Sequence, residues 1–213
     1  MKRAEKEKRG FTLAELLVVV AIIGVLVAIS IPIFTTQLEK ARRSVDLYNA
    51  RAVESVLVNA INDGSVQIAP GTDKNDSSGI WVTIKREGDG NWPLSYGDNR
   101  ETQSGNVFYG VNPGIIVNGK PKTGNWNSNN ADLQNIVKAA GIDADNLKVN
   151  CRKSDSKTPD GWDWIVIEAG YRYDKSANKF VLFTEIYSGF AGESSGAHMF
   201  ESSKNCIGKL IGA

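Results

Sequence analysis

The sequence predicts an α+β fold in which a long N-terminal helix packs on the antiparallel β-sheet of a globular head. Two observations support this prediction. An apolar run spans residues 11–34 and continues as a one-sided apolar pattern to Ile61, which is typical of one long helix. Farther along, runs rich in β-branched and aromatic residues alternate with turns rich in Gly, Asn and Asp, which is typical of strands.

The apolar run is long enough to cross the hydrocarbon core of a bilayer as a helix. Its one charged side chain is Glu15. An unpaired charge in lipid costs at least about 2.5 kcal/mol, so we expect this carboxylate to have a partner. Pro32 lacks the N–H of a helical hydrogen bond and its ring crowds the preceding turn, which predicts a kink.

A short charged leader precedes the apolar run. Residues 2–9 carry a net charge of +3, against +1 for the whole chain. The excess of Lys and Arg before the run predicts that this end stays in the cytoplasm. Cleavage after Gly10 would create an α-amino group at Phe11, four residues before Glu15. Cleavage would therefore supply the cation that the carboxylate lacks.

Around this junction a glycine, an aromatic residue, a carboxylate and a proline stand at set spacings. The residues are Gly10, Phe11, Thr12, Leu13, Glu15, Leu16, Leu17, Gly24 and Pro32. The pattern resembles the N-terminus of type IV prepilins and of their pseudopilin relatives. The resemblance covers only the leader and the first half of the long helix.

The resemblance implies a prepilin peptidase that cuts between Gly10 and Phe11 and methylates the new Phe11 amine. It implies a homo-oligomeric helical filament, built by an inner-membrane platform and an assembly ATPase, in which Phe11, Glu15, Gly24 and Pro32 contribute to assembly. Glu15 would neutralise the Phe11 amine, commonly that of a neighbouring subunit. The chain would be a single-pass protein of the cell membrane, with its head outside, before it joins an extracellular pilus.

Four segments are predicted: a cleaved leader (1–10), a transmembrane and filament-core helix (11–34), an amphipathic helix that continues into the head (35–63) and a globular β-rich head (64–213). The amphipathic segment has apolar residues at steps of three and four, which predicts that one face packs on the head. These residues are Phe34, Leu38, Ala41, Val45, Tyr48 and Ala52, followed by Val53, Val56, Leu57, Ala60 and Ile61.

In the first part of the head, residues 64–79 are predicted to form a loop. Strands are predicted over residues 80–86, 106–111 and 115–117, and Asn118-Gly119 is a typical two-residue hairpin turn.

A helix is predicted to begin after Asn130, whose side chain suits an N-cap, and to end at Gly141. Residues 162–173 and 179–187 then give two long strand patterns, interpreted as the central antiparallel hairpin of the sheet. Residues 188–205 are rich in Gly and Ser, which predicts a loop.

Two cysteines, Cys151 and Cys206, lie in the segment predicted to be exported. An even pair in an oxidising compartment usually forms a disulfide, and closing a loop of about 55 residues would add ~4 kcal/mol on the chain-entropy model. Pilins that this chain resembles often carry a disulfide near the C-terminus, which suits Cys206. A Cys151–Cys206 disulfide is therefore predicted, with two buried free thiols as the alternative.

No catalytic residue, metal site or cofactor is predicted. Gly192-Glu193-Ser194-Ser195-Gly196 matches the G-x-S-x-G motif of hydrolases, but the chain has one histidine, His198, and no alternating βα pattern. Residues 73–76 and 174–178 have oxygen side chains, but neither segment has the full ligand series of a calcium loop, and turn formation explains both. Most of the five tryptophans suit a core; Trp92 and Trp126 lie in Gly- and Asn-rich loops that would also suit glycan binding.

The predicted function is a structural subunit of a type IV pilus and not an enzyme. The nearly neutral mature chain offers no electrostatic attraction for nucleic acid. A pseudopilin of a type II secretion or competence system is the first alternative, and a membrane-anchored hydrolase or lectin is a remote one. A secretory signal cut near Ala28-Ile29-Ser30, or a plain membrane anchor, would leave Glu15 unexplained.

Overall fold

The N-terminal part of the protein is one long helix. In the computed structural model, which describes residues 10–69, 78–87, 105–123, 129–151 and 162–189, α1 (Leu13–Asn62) is continuous through Pro32. By contacts the chain divides into two compact units, residues 1–41 and 42–213. By length and composition, α1 is the one helix in the described ranges that is suited to cross a membrane.

Hydroxyl groups satisfy backbone carbonyls around the proline. Ser30 Oγ donates to the carbonyl of Leu26 at 2.6 Å, and Thr36 Oγ1 donates to the carbonyl of Pro32 at 2.9 Å. Each hydroxyl thus bonds to the carbonyl four residues earlier, which gives these polar side chains a partner within the apolar helix. The kink at Pro32 stays a prediction.

The second unit contains the β-structure. Its described elements are β1 (Val66–Gln67), β2 (Ser78–Lys85), β3 (Val107–Val111), β4 (Ile116–Val117), β5 (Lys120–Pro121), α2 (Ala131–Ala139), β6 (Trp164–Asp174) and β7 (Lys179–Gly189). The strands form a four-stranded sheet in the order β3-β2-β6-β7 and a small sheet in the order β1-β4-β5. All the strand pairs are antiparallel, so the structure confirms the predicted α+β class.

The core lies between the C-terminal part of α1 and one face of the larger sheet. Alternate residues of the strands point to this face, as the two-residue period of a strand requires. On α1 the buried residues recur at helical spacing. The principal core residues are Ala50, Val53, Leu57 and Ala60 of α1, Ile80, Val82 and Ile84 of β2, and Ile165, Ile167 and Ala169 of β6.

Several local predictions are confirmed. Asn118 and Gly119 form the turn between β4 and β5, with φ values of 49° and 75° that suit this dipeptide. Asn130 caps α2, because its side chain accepts a hydrogen bond from the Leu133 N–H at 2.8 Å. Gly141 follows α2 with a φ of 84°, the conformation that glycine adopts most readily after a helix.

The structure corrects the interpretation of residues 162–189. Their two strands pair over their whole lengths, from Trp164 with Gly189 to Asp174 with Lys179, as predicted. The hairpin is not central, however. In the described sheet β6 lies inside, while β7 lies at the edge, because β2 pairs with the other side of β6.

The predicted packing face of the amphipathic helix is also partly wrong. Val53, Leu57 and Ala60 are buried as expected. Five of the residues predicted to share that face are instead solvent-exposed: Phe34, Leu38, Ala41, Val45 and Tyr48. The C-terminal part of α1 therefore has two apolar faces. The larger sheet covers the face that begins near Ala50.

Candidate functional site

The start of α1 holds the residues predicted to act in processing and assembly. Gly10 and Phe11 precede the helix, which begins at Leu13 after Thr12. The first helical backbone bond runs from the Leu16 N–H to the Thr12 carbonyl at 3.2 Å. The junction between residues 10 and 11 thus lies outside the helix, just before its first turn.

Thr12 and Glu15 form a reciprocal cap at this start. The Glu15 carboxylate accepts hydrogen bonds from the Thr12 N–H and from Thr12 Oγ1, both at 2.8 Å. In return Thr12 Oγ1 accepts a hydrogen bond from the Glu15 N–H at 3.3 Å. This is a capping box, which satisfies donors that a helix N-terminus leaves without partners.

These hydrogen bonds from Thr12 to the Glu15 carboxylate were not predicted from the sequence. The signal was present, because Thr12-Leu13-Ala14-Glu15 has the T-x-x-E spacing of a capping box. The partner predicted for the carboxylate is the Phe11 amine. That pairing stays a prediction. The cap shows which hydrogen bonds the carboxylate makes while residues 10 and 11 are still joined.

The apolar part of α1 is exposed all round. Phe11 is 88% exposed and Leu13 is 83% exposed, and the large apolar residues that follow are about half exposed or more. Nothing lies within 4 Å of the position where a side chain at Gly24 would begin. A surface of this kind requires lipid or other protein chains to cover it.

Cys151 lies deep in the second unit. Its thiol is buried and lies 3.3 Å from the backbone carbonyl of Trp162, to which it donates a hydrogen bond. Burial is the main cause that raises the pKa of Cys151 to about 12, which makes the thiol unreactive as a nucleophile. Cys206 lies outside the described residues, and the disulfide between the two stays a prediction.

A buried carboxylate holds the chain around Cys151 to the helix. Asp46 of α1 accepts hydrogen bonds from the Asn150 N–H at 2.8 Å and from the Cys151 N–H at 2.9 Å. The Asn150 side chain adds a third bond to Asp46 at 2.8 Å. The pattern of apolar residues gave no signal for this contact, which joins positions 104 and 105 residues apart.

The turn over residues 174–178 uses its oxygens internally. Asp174 Oδ1 accepts hydrogen bonds from the Ser176 N–H at 2.8 Å and the Ala177 N–H at 3.2 Å. Hydrogen bonds, first among them that of the Ser176 side chain, lower the pKa of Asp174. This geometry supports the interpretation of residues 174–178 as a turn. Within the described ranges, no cluster of three or more His, Cys, Asp or Glu residues suits a metal ion.

Other candidate residues lie outside the described residues. They are the leader residues 1–9, the segment 73–76, Trp92, Trp126, the G-x-S-x-G segment 192–196 and His198. The tryptophans predicted to fill the core include Trp162 and Trp164, and both are buried.

Comparison with known proteins gives a match to one family model and matches to several relatives. The prokaryotic N-terminal methylation motif matches residues 6–31. Two fimbrial proteins of Pseudomonas aeruginosa are each 28% identical to this chain over 134 residues, which is 57% of this chain and 85% of the relative. The fimbrial protein EcpB of Eikenella corrodens is 39% identical over 72 residues, 29% of this chain and 45% of that protein. No solved structure shows a significant match.

Proposed function

The methylation motif and the fimbrial relatives support a type IV pilin, a structural subunit of a pilus, and from this premise we propose how the chain is processed and assembled. A prepilin peptidase cuts after Gly10 and methylates the Phe11 amine. The mature chain, residues 11–213, then polymerises through α1 into a surface filament. The observation that carries this proposal is the exposed apolar segment 11–34, in which Glu15 is the one charged side chain.

The energetics of assembly follow from the burial of this apolar segment. In the membrane, lipid covers residues 11–34; in the filament, the same residues pack against the helices of other copies. Gly24 permits close approach of a neighbouring helix, because no side chain separates the two backbones there. Both in lipid and in the filament, the Glu15 carboxylate needs a cation or strong donors beside it, since a buried unpaired charge is heavily penalised.

Processing supplies that cation beside a carboxylate that is already held in place. The new amine at Phe11 lies next to Thr12, whose N–H and hydroxyl bind Glu15. In the filament we propose that Glu15 pairs with the Phe11 amine, commonly that of a neighbouring subunit. This pairing fixes the axial register of the subunits as well as offsetting the charge.

The partners proposed are further copies of the chain, the peptidase, an inner-membrane platform and an assembly ATPase. A membrane-anchored precursor with its head outside, and a pilus on the cell surface, fit the motif and the apolar helix. The fimbrial family is structural, and we propose no catalytic role for this chain. A pseudopilin would share the N-terminus; surface filaments that contain this chain in bulk distinguish the pilin from it.

Mass spectrometry of the N-terminal peptide tests the proposed processing. In filaments sheared from cells that make the chain, we expect a peptide that begins with methylated Phe11. Gly10→Val should leave the full-length chain in the membrane, because the bulkier residue occupies the cleavage junction. Residues 1–8 found on assembled surface material would contradict the proposal.

A further inference from the structure

β7 is the edge strand of the larger sheet, and its free side is long and apolar. It pairs with β6 without a bulge from Lys179 to Gly189, and among the described residues no strand pairs with its other side. Its first seven residues read Lys-Phe-Val-Leu-Phe-Thr-Glu, with charges only at the two ends. An edge strand without a proline or a bulge is a template for pairing with another strand.

Hydrogen bonds at the end of β2 determine which backbone groups of β7 face outward. The Arg86 N–H donates to the Asp163 carbonyl at 3.1 Å, on the side of β6, whereas the Lys85 N–H donates to the Asn106 carbonyl at 2.8 Å, on the side of β3. Successive residues of an antiparallel strand point alternately to its two neighbours. Carried across the continuous registers of β2, β6 and β7, this alternation turns three N–H groups near the start of β7 away from β6. They belong to Phe180, Leu182 and Thr184.

The opposite edge of the same sheet is closed. On β3 the Tyr109 N–H donates to Asn129 Oδ1 at 2.8 Å, and the Tyr109 carbonyl accepts a hydrogen bond from the Asn130 N–H at 2.8 Å. These contacts occupy the positions that a further strand would use. Within the described ranges no such contact is found at the three outward-facing residues of β7, so this edge alone is left for a partner.

The apolar part of β7 is complementary to itself. When two copies of the strand pair antiparallel about a two-fold axis at Leu182, Phe180 of each copy lies opposite Thr184 of the other. Val181 then lies opposite Phe183 of the other copy, on the second face. Pairs of aromatic and β-branched residues directly across two strands stabilise a sheet. Apart from Phe183, which is buried, these residues are half-buried.

The charges of β7 select this register. With the axis at Leu182, Lys179 of each copy lies opposite Glu185 of the other, so that the symmetric pair gains two ion pairs. Moving the axis by one or two residues in either direction places one of these charges opposite Val181 or Phe183 instead. Opposite charges directly across two strands are favourable, whereas a charge opposite an apolar side chain gains nothing.

We propose that segment 179–185 is a contact surface for a second copy of the chain, whose own segment 179–185 pairs with it antiparallel. The two larger sheets then form one continuous sheet. The contact lies within the second unit and goes beyond the proposed function. Successive subunits of a filament are related by one repeated rotation and rise, which includes no two-fold axis. The pair therefore joins copies that belong to different filaments.

Two charge reversals in the full-length chain test the register. Lys179→Glu and Glu185→Lys each place like charges opposite one another at both ends of the pair. We expect the dimer dissociation constant of each detergent-solubilised chain to rise about tenfold. An equimolar mixture of the two variants should restore association, because each altered side chain then meets an opposite charge.

Sedimentation equilibrium measures these constants. Lys175→Glu makes the same charge change at an exposed position in the adjacent turn, and it should associate like the unchanged chain. Association through α1 is common to all the chains and cancels in the comparison. Constants that neither reversal changes, or a mixture that associates no better than the single variants, would overturn the proposal.

Hydrogen exchange of the unchanged chain identifies what covers the edge. The amides of Leu182 and Thr184 should become protected as the concentration rises through the dissociation constant, while that of Val181, which faces β6, stays protected throughout. Protection that does not depend on concentration would mean that the same chain covers its own edge. That result, or no protection at any concentration, would overturn the proposal. This measurement also decides the matter if a thermal melt shows that Glu185→Lys does not fold.

The outcomes separate this inference from the proposed function. Both tests use the solubilised chain and do not require filaments. If the heads stay unpaired while the chain still forms filaments, only the contact at β7 is wrong. If the heads pair while no filaments form, the proposed function fails and the contact stands.

Discussion

Two carboxylates on α1 accept hydrogen bonds that hold the chain around them in place. Glu15 closes a capping box with Thr12 at the start of the helix, in a segment that is otherwise apolar. Asp46 is buried and accepts three hydrogen bonds, two from Asn150 and one from Cys151. The Asp46 carboxylate is satisfied within the chain, whereas Glu15 is proposed to gain a further partner, the Phe11 amine, on assembly.

At this scale we predict that Asp46→Asn destabilises the head. The NH2 group that replaces one carboxylate oxygen cannot accept a hydrogen bond, and at either position it faces a backbone N–H. The free energy of unfolding should fall by about 2–4 kcal/mol, the usual cost of breaking buried bonds to a charged group. Urea unfolding of the detergent-solubilised chain measures this.

Asp145→Asn is the matched control for Asp46→Asn. Asp145 pairs at the surface with Lys138 and is 60% exposed, so the same change there should cost less than about 1 kcal/mol. An equal loss of unfolding free energy in the two variants would contradict a stabilising role of the Asp46 hydrogen bonds.

At the scale of elements, the face of the larger sheet turned away from α1 has its own packing. Trp81 of β2 lies across Gly110 of β3, where an added side-chain carbon would meet the indole ring at 1.9 Å. Trp164 and Val166 of β6 pack beside Trp81. The next residue of β6 on this face is Glu168, which pairs across the strands with Glu185 of β7.

Glu168 gives the β6–β7 hairpin a pH dependence. Burial first, and then the nearby Glu185 carboxylate, raise the pKa of Glu168 from 4.5 to about 8, while Arg172 acts in the opposite direction. The folded chain thus holds a proton that the unfolded chain releases. Stability should be greatest below about pH 4.5 as far as this group is concerned, and it should fall as the pH rises toward 8.

We predict that Glu168→Gln removes most of this slope and stabilises the head at pH 8 and above, because the amide stays neutral. Thermal melts of the chain and of the variant between pH 5 and pH 9 measure the effect. Glu87→Gln, a change at an exposed residue paired with Lys148, should leave the slope unchanged. Parallel pH curves for the chain and for Glu168→Gln would contradict the assignment.

How much of these elements the sequence predicts depends on how local their signals are. Asn118-Gly119 and the Asn130 cap are local signals, and both the turn and α2 form as predicted. The β1 strand, only two residues long, shows no alternation that a pattern would detect. The order of the strands depends on long-range pairing, so the sequence indicated the β6–β7 hairpin but not the position of β7 at the edge of the described sheet.

The candidate site could be predicted only in part, because only some of its sequence signals are local. The residues from Gly10 to Pro32 form a motif within one segment, and the methylation-motif family matches that region. The covered face of α1 was not predictable, because apolar residues occur on both sides of the helix from Val45 onward. The folded head packs on the side of α1 near Ala50, and Tyr48 therefore stays exposed.

At the scale of the whole molecule, we propose that the charge of Glu15 is required for assembly and not for folding or processing. Glu15→Gln tests it well, because Gln also closes a capping box with Thr12 while the negative charge is lost. The helix start and the cleavage junction at Gly10 are thereby kept. Any loss of filaments then reports on the missing charge pair with the Phe11 amine.

The most direct measurement is filament yield in cells whose only copy of the subunit carries Glu15→Gln, with cleavage at Gly10 and the thermal melt of the head recorded on the same cells. Glu87→Gln, which removes one exposed carboxylate from the head, is the control. The account predicts a cleaved and folded chain that accumulates in the membrane, with few filaments, while the control assembles normally. Normal filament numbers from Glu15→Gln would contradict it.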